Sequence, residues 1–317
     1  MNCPICKALS KKICLVYDDR YGYPGLFDLY MCRHCRHGFI DHTFLSHELE
    51  NLYSQYYPRS NLSISDYKPS ALRSDLIGWL NGEARSAFAH VPANVRVLDI
   101  GCGFAQSIGY HKSRNCDAYG VEADENVKKV IDKYAFNIKL GLFNYKDYQE
   151  SYFDYITMDQ VLEHIQDPVF MLRGVSKILK NEGKVIISIP NFNGWGVKFF
   201  GKKWINWHIP YHLHHYSKTS IRKLADSSGL EVESIKTITC SEWLNYQWHS
   251  IATYPRRGDK SVFWSPTIKH QYKFWQIVCF KFLSLIHKLK INHIFTRFFD
   301  FLGLGDNLLV ILKKSKA

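Results

Sequence analysis

The chain has 317 residues, of which 46% are hydrophobic, so it can bury the core of one large α/β domain with attachments or of two modest domains. No uncharged apolar run approaches the roughly 20 residues of a membrane span, and the opening residues MNCP do not resemble a secretory leader, so we expect neither a transmembrane nor an exported protein. Nine cysteines then predict reduced thiols in the cytosol, and a net charge of +12 favours an anionic partner such as nucleic acid, a phosphorylated substrate or a membrane surface.

Two Cys-x2-Cys pairs, CPIC and CRHC, open the chain with 25 residues between them. Two such turns let four thiolates converge tetrahedrally on one zinc ion, which stabilises a segment too short to bury its own core. The alternative is four unrelated thiols. We predict a zinc ribbon over residues 1–45, and its four sulfur ligands would make the site closed and structural. The predicted ligands are Cys3, Cys6, Cys32 and Cys35.

A polar, tyrosine-rich connector follows the ribbon, and an apolar pattern at about residues 70–90 predicts an amphipathic helix. We group residues 46–94 as this connector and leading helix. The core of the protein is predicted over residues 95–240, a helical insert that forms a lid or faces a membrane over 241–304, and the last strand of the core over 305–317.

The core opens with a strand–turn–helix–strand pattern. A short apolar run ends at Asp99, the glycines Gly101 and Gly103 form a turn, and the next strand ends at Glu122, about 20 residues later. In a doubly wound nucleotide site an acid at that place takes the ribose hydroxyls. Proteins that bind a pyrophosphate have a third glycine at the position where this chain has Gln106. The negative charge of Asp99 would also repel a phosphate. The pattern therefore favours a cationic ligand.

Four motifs carry a resemblance to a known family: VLDIGCGFA (97–105), GVEAD (120–124), FDYITMDQVLEHIQDP (153–168) and LKNEGKVIISIPN (179–191). In order and spacing they resemble the class I S-adenosylmethionine-dependent methyltransferases. The resemblance implies an α/β, Rossmann-like seven-stranded sheet whose last, antiparallel strand is DNLLVILKK (306–314), with S-adenosylmethionine as cofactor. It also implies that the cofactor is held by Asp99, Gly101 and Gly103 at the methionine end, by Glu122 at the ribose, and by Asp159 and Gln160 near the adenine and acceptor.

The fourth-strand motif ends in Glu163 and His164. In several small-molecule O-methyltransferases that resemble this chain, a Glu-x-x-Glu-His run there can hold a divalent metal. Here Gln160 replaces the first glutamate, which leaves one carboxylate in the run. Hard divalent cations usually bind more carboxylate oxygens than this. We therefore expect Glu163 and His164 to be structural or to line the pocket, and His164 is kept as a candidate catalytic residue.

The segment WHIPYHLHHYS (207–217) holds four histidines between the fifth strand and a helix that Ser217 should cap. Its position at the carboxyl end of a strand predicts that the histidines face or flank the acceptor pocket. Pro210 disfavours the helix that would align them on a metal. Methyl transfer to a hydroxyl needs a base, and we predict His212 or His215 for that role; the alternative is that these imidazoles only hydrogen-bond the insert to the sheet edge.

The insert contains a basic amphipathic helix at about residues 272–290, and residues 254–300 carry nine Lys or Arg and two Asp. We expect its apolar stripe to pack on its own domain. The alternative is a face that lies on an anionic membrane or approaches a lipid-linked substrate.

The function predicted from these features is methyl transfer to a small molecule or glycan, and the leading hypothesis is O-methylation of a sugar in surface-polysaccharide or secondary metabolism. We expect a cytoplasmic enzyme and leave its association with a membrane open. The alternative is a ribosomal or transfer RNA methyltransferase whose zinc ribbon binds RNA, since a pI near 9.1 suits RNA. That alternative lacks the Asn/Asp-Pro-Pro-Tyr or cysteine motif after the fourth strand, where MDQVLEH stands. A third possibility, a non-catalytic scaffold, is disfavoured by the intact Asp99, Gly101, Gly103 and Glu122.

Overall fold

Two sheets organise the chain in a computed structural model that describes residues 1–58, 63–265 and 272–315. The strands are β1 (Ser10–Val16), β2 (Phe27–Cys32), β3 (Gly38–Ile40), β4 (Arg96–Ile100), β5 (Asp117–Glu122), β6 (Asn137–Leu140), β7 (Phe153–Asp159), β8 (Leu179–Pro190), β9 (His214–His215), β10 (Leu230–Thr237) and β11 (Asn307–Lys314). The predicted connector, helical insert and terminal segment each include residues outside the described ranges.

The helices lie in the connections between these strands. They are α1 (Ser46–Asn51), α2 (Leu76–Asn81), α3 (Gln106–Lys112), α4 (Lys128–Tyr134), α5 (Pro168–Ile178), α6 (Trp195–Phe200), α7 (Lys218–Asp226), α8 (Ser241–Ala252), α9 (Phe274–Lys288) and α10 (Ile291–Phe301). Ser217 caps α7 as predicted, since its side chain accepts from the Ser220 N–H. In the part of the chain that the structure describes, no helix is both long enough and apolar enough to cross a membrane.

The large sheet has the strand order β10-β11-β8-β7-β4-β5-β6. Its strands run parallel except β11, which is antiparallel to both β8 and β10. Helices cover both faces, so the central strands are near-continuous apolar runs, and Val97, Ile156 and Val310 are fully buried. The expected Rossmann-like sheet with an antiparallel last strand is confirmed.

The small sheet joins the N-terminal ribbon to the core. Its order is β1-β2-β3-β9, and β9 belongs to the histidine segment rather than to the ribbon. Gly38 pairs with His215 and Phe39 with His214. The ribbon therefore holds one end of the histidine segment through main-chain hydrogen bonds.

The single helix predicted over residues 70–90 is wrong. The structure has the short helix α2 followed by two 3-10 turns, Glu83–Arg85 and Ala87–His90. Gly82 ends α2 with a φ of 74°, and a Cβ there would lie 2.1 Å from the carbonyl oxygen of Thr239. The helix thus ends at Gly82, where the main chain of Thr239 comes close, although the sequence pattern alone continues to residue 90.

The basic helix predicted at about residues 272–290 is confirmed as α9, but the expected packing of its apolar stripe is wrong. Seven apolar residues at helical spacing form this stripe; Cys279 and Ile286 are half-buried, and the other five are exposed. These exposed positions are Trp275, Val278, Phe282, Leu285 and Leu289.

Candidate functional site

The four N-terminal cysteines form one cluster. Their Sγ atoms all lie within 4.8 Å of one another, with 3.6 Å between Cys3 and Cys35 and 3.5 Å between Cys6 and Cys32. Tetrahedral zinc with Zn–S bonds of about 2.3 Å separates its sulfurs by about 3.8 Å. The Cys35 N–H also points at the Cys32 Sγ, 3.4 Å away, as expected around a thiolate. The cluster therefore fits a zinc ion.

The turn after β4 has the geometry of a nucleotide-binding loop. Gly101 and Gly103 adopt φ values of 72° and 54°. A Cβ on Gly101 would lie 2.5 Å from a methyl carbon of Val161, so this position requires glycine on both conformational and steric grounds. Glu122 accepts from the Gly103 N–H and from the Asp124 N–H, at 2.8 Å each. The predicted ribose acid is thus tied to the glycine turn at the carboxyl edge of the sheet.

Asp99 lies beneath this turn and is almost fully buried. Its carboxylate accepts from the hydroxyl of Thr157 at 2.7 Å and from the hydroxyl of Ser107. Burial, with a smaller contribution from the charges of Asp159 and Glu122, raises the pKa of Asp99 to about 6. Three acidic groups therefore surround the turn, which favours a cationic ligand over a phosphate. Direct contact of Asp99 with the cofactor stays a prediction.

The two residues at the end of β7 have different surroundings. Asp159 accepts from the Ala87 N–H at 3.3 Å and lies 3.8 Å from Arg85 Nη1. Gln160 instead turns toward the sheet, where its amide donates to Asn307 Oδ1 at 2.9 Å. Their predicted roles at the adenine and acceptor side stay predictions. Sequence reasoning missed Arg85 because no motif surrounds it.

A cleft of about 680 Å³ opens beside the cofactor turn at Gln106, and Asp99, Gly101, Gly103 and Glu122 do not line it. It is bounded by residues 68–72, by Arg85 and Gln106, and by the corner between α9 and α10. The fit to S-adenosylmethionine rests on the glycines, which let a ligand approach the backbone, and on the acid at the end of the second strand. The residues present therefore suit this cofactor.

A second polar cluster follows β7. Glu163 is 0% exposed, and among the described residues neither of its carboxylate oxygens has a hydrogen-bond partner. Its Oε1 lies 4.0 Å from His212 Nε2. The Leu213 N–H donates to the Glu163 carbonyl oxygen at 2.9 Å, which holds the histidine segment against this turn.

The two histidines beside Glu163 have defined tautomers. His164 Nδ1 lies 2.9 Å from the Tyr211 carbonyl oxygen, and His212 Nδ1 lies 2.9 Å from the Asn206 carbonyl oxygen. A carbonyl only accepts, so each Nδ1 carries the proton and each Nε2 is an acceptor; His208 Nδ1 lies 3.4 Å from His212 Nε2 and donates to it. One ligand atom from each of Glu163, His164 and His212 lies within 4.8 Å of the other two, so this set has the spacing to hold a divalent ion.

Burial sets the protonation of this cluster. It raises the pKa of Glu163 to about 8, lowers that of His164 to about 4, and lowers that of His212 well below its usual value. The physical cause is common to all three, because a buried site disfavours whichever form carries charge. At neutral pH the imidazoles are therefore neutral, and Glu163 is the group that titrates near pH 8.

The other candidate base, His215, lies elsewhere. It belongs to β9, and its ring packs on Trp207 at 4.8 Å between ring centroids. Its ring lies 6.4 Å from that of His212, and its neighbour His214 is 3.0 Å from His37 of the ribbon. The structure brings His164 and His212 to Glu163 and leaves His215 packed against aromatic rings.

An aromatic wall, which sequence reasoning did not predict, connects the two sites. Burial raises the pKa of Tyr57, with smaller contributions from the charges of Asp124 and Glu122, and the Tyr57 ring lies 5.2 Å from that of Tyr211. Tyr211 in turn packs on His208 at 4.9 Å. The ribbon adds Arg20, which is buried and lies over the ring of Trp264. No sequence spacing connects these residues, so only the fold shows them together.

The fold and the cofactor turn define a class I S-adenosylmethionine-dependent methyltransferase. A model of the methyltransferase domain family matches residues 44–235, and the chain belongs to that family. The chain is 25% identical over 160 residues to the ubiquinone biosynthesis O-methyltransferase of Thiobacillus denitrificans, a match that spans 46% of this chain and 69% of that protein. It is 23% identical over 184 residues to the same-named protein of Xanthomonas axonopodis pv. citri, spanning 56% and 70%.

Among solved structures, one that resembles the chain is a SAM-dependent methyltransferase from Archaeoglobus fulgidus. The two are 18% identical, and the match covers 72% of this chain and 88% of that one with a TM-score of 0.43. No conclusion about substrate rests on that likeness.

Proposed function

We propose that this methyltransferase acts on a hydroxyl oxygen of a small molecule, and that its acceptor is a sugar of surface-polysaccharide or related secondary metabolism. The observation that carries the proposal is the buried, unpartnered Glu163, whose Oε1 lies 4.0 Å from His212 Nε2 and which is grouped with His164. A neutral hydroxyl is a poor nucleophile and needs a base, and a sugar hydroxyl needs one more than a phenol does. The O-methyltransferase names of the relatives support oxygen as the acceptor atom.

In the proposed reaction the carbon–sulfur bond to the transferred methyl breaks and a carbon–oxygen bond to the acceptor forms. S-Adenosylmethionine supplies an electrophilic methyl group on a sulfonium, and S-adenosylhomocysteine is the product. The hydroxyl proton passes to the Glu163–His212 pair. The glycine turn and Glu122 orient the nucleoside, and the aromatic wall excludes water from the acceptor.

The proton balance of the pair explains why both residues are needed. With Glu163 protonated, a further proton on His212 would create a buried positive charge, which burial disfavours. With Glu163 ionised, the pair takes the proton and becomes neutral. The pair is therefore a good base when Glu163 is ionised: His212 Nε2 passes the proton on, and the proton ends on Glu163, whose pKa is the higher of the two. His164 does not take part in this proton transfer; its Nδ1 donates to the Tyr211 carbonyl oxygen and so helps to hold the histidine segment in place.

We further propose that the four-cysteine cluster holds zinc in a structural role. Cys35 lies three residues before Gly38, and Gly38 pairs with His215 of β9. The ion would thus fix the ribbon strand on which the histidine segment rests, and it takes no part in the reaction.

The test is transfer of label from methyl-labelled S-adenosylmethionine to a panel of sugars, phenols and total RNA. We expect label in a sugar, in an ether that resists alkali. Glu163→Gln and His212→Asn should lower turnover at least about 100-fold, the usual size of a general-base contribution. His47→Asn, an exposed histidine of α1, is the matched control and should not change it.

Other outcomes would overturn the proposal in stages. Label in RNA, or on nitrogen or carbon, would refute O-methylation of a small molecule. Label in phenols alone would refute the sugar as acceptor. Full activity of His212→Asn would refute the base.

A further inference from the structure

Helix α10 is inverted relative to a normal surface helix. Its inner side is polar: Asn292, His293, Thr296 and Arg297 are buried. Arg297 donates to the Trp79 carbonyl oxygen at 2.9 Å, and the hydroxyls of Thr296 and Ser241 are 2.8 Å apart. Its outer side is apolar, with Ile294 64% and Phe301 87% exposed. A surface helix normally buries the apolar side, so this outer side is made for contact with something else.

Helix α9 and α6 extend the same surface. Helix α9 contacts α10 and carries further exposed apolar side chains, and Phe199 of α6 lies 5.8 Å from Phe299 of α10 between ring centroids. We name this surface the apolar face. It consists of Phe199, Phe274, Trp275, Val278, Phe282, Leu285, Leu289, Ile291, Ile294, Phe298 and Phe301.

The charges around the apolar face have one sign. Lys273, Lys281 and Lys288 are exposed along α9, and no Asp or Glu occurs between residues 272 and 299. The next acid, Asp300, lies 2.7 Å from Arg297 and is neutralised by it. Exposed Phe, Trp and Leu beside lysines are typical of helices that lie in the interface of an anionic bilayer. A second copy of the chain on this face would instead bring like charges together.

We propose that the apolar face binds the surface of an anionic lipid bilayer. The inner side of the same corner, through His287, Lys290 and His293, lines the cleft beside the cofactor turn. Glu163 and His212 do not line this cleft, so the proposal concerns the bilayer and not the proposed function. Binding of the bilayer itself does not rest on it.

The test is flotation of the purified, full-length protein with vesicles of phosphatidylglycerol and phosphatidylcholine, compared with pure phosphatidylcholine. We expect the protein to float with the anionic vesicles, and Ile294→Asp/Phe301→Asp to lower the floated fraction at least about tenfold. Lys281→Glu/Lys288→Glu should lower it about tenfold and remove its dependence on salt. Both pairs are exposed, so folding should be kept, which circular dichroism checks.

The matched control is Leu142→Asp, since Leu142 is 82% exposed and follows β6 at the opposite edge of the sheet. It should float like the wild type. Wild-type protein that stays out of the vesicle fraction would refute the proposal, as would equal loss in the control. A wild-type dimer that Ile294→Asp/Phe301→Asp converts to a monomer would show that a second copy covers the face. None of these readouts requires methyl transfer, so they are independent of the proposed function.

Discussion

Replacing Glu163 by glutamine should stabilise the folded protein at neutral pH even though it removes the proposed base. The side chain is 0% exposed and its carboxylate oxygens have no hydrogen-bond partner among the described residues. Glutamine has nearly the same shape and no charge to desolvate. The difference in the free energy of unfolding between this variant and the wild type therefore measures what burial of an ionisable group at this position costs.

The magnitude follows from the pKa of Glu163, which burial raises from 4.5 to about 8. Because the folded-state pKa is the higher one, the stability linked to its proton is present below pH 4.5 and is lost as the pH rises toward 8. At pH 7, which is 2.5 pH units above the unfolded-state value, the wild type has lost about 3 kcal/mol at 1.36 kcal/mol per unit. Glu163→Gln should be more stable by about that amount at pH 7 and by little near pH 4.5.

The assay is urea unfolding of zinc-loaded protein across this pH range. Glu150→Gln, an exposed glutamate, is the control and should change the free energy of unfolding by less than about 0.5 kcal/mol. If Glu163→Gln is less stable than the wild type at pH 7, Glu163 is held by a protonated histidine or a bound ion, and the neutral cluster is refuted.

Two further predictions concern the cofactor turn and the ribbon. Gly101→Ala should weaken S-adenosylhomocysteine binding at least about tenfold by calorimetry, because the added methyl group would meet Val161. The control is Gly201→Ala, which also has a positive φ but has open space around it. Equal losses of binding in the two variants would refute the steric role of Gly101. Cys32→Ser should release zinc and lower turnover at least about tenfold while S-adenosylhomocysteine binding stays within about twofold, since the ribbon holds the histidine segment and not the cofactor turn. Unchanged turnover in the metal-free variant would contradict this coupling.

Much of the fold could be predicted because its signals are local. The strand before Asp99, the glycine turn and the strand that ends at Glu122 are contiguous in sequence, and each follows from apolar runs and turn residues. The helix predicted over residues 70–90 failed because Gly82 meets Thr239, a contact across the fold that no local pattern contains.

The candidate site was predictable in part for the same reason. The sequence predicted four histidines near the acceptor at the carboxyl edge of the sheet. Which of them is the candidate base depends on which one lies near an acidic side chain in the fold. His212 meets Glu163, which lies far from it in the sequence, whereas His215 is drawn into the ribbon sheet by Gly38. The raised pKa of Glu163 comes from burial, and sequence alone gives no measure of that.

The pH dependence of kcat/KM, with the acceptor found by label transfer, tests the proposed base most directly. For the wild type we predict a rate that rises with pH and levels off above about pH 8, as Glu163 ionises. Glu163→Gln should be at least about 100-fold slower and flat over that range. A wild-type profile that is flat between pH 6 and 9, or a variant that keeps the wild-type rise, would contradict the assignment of Glu163 and His212 as the base.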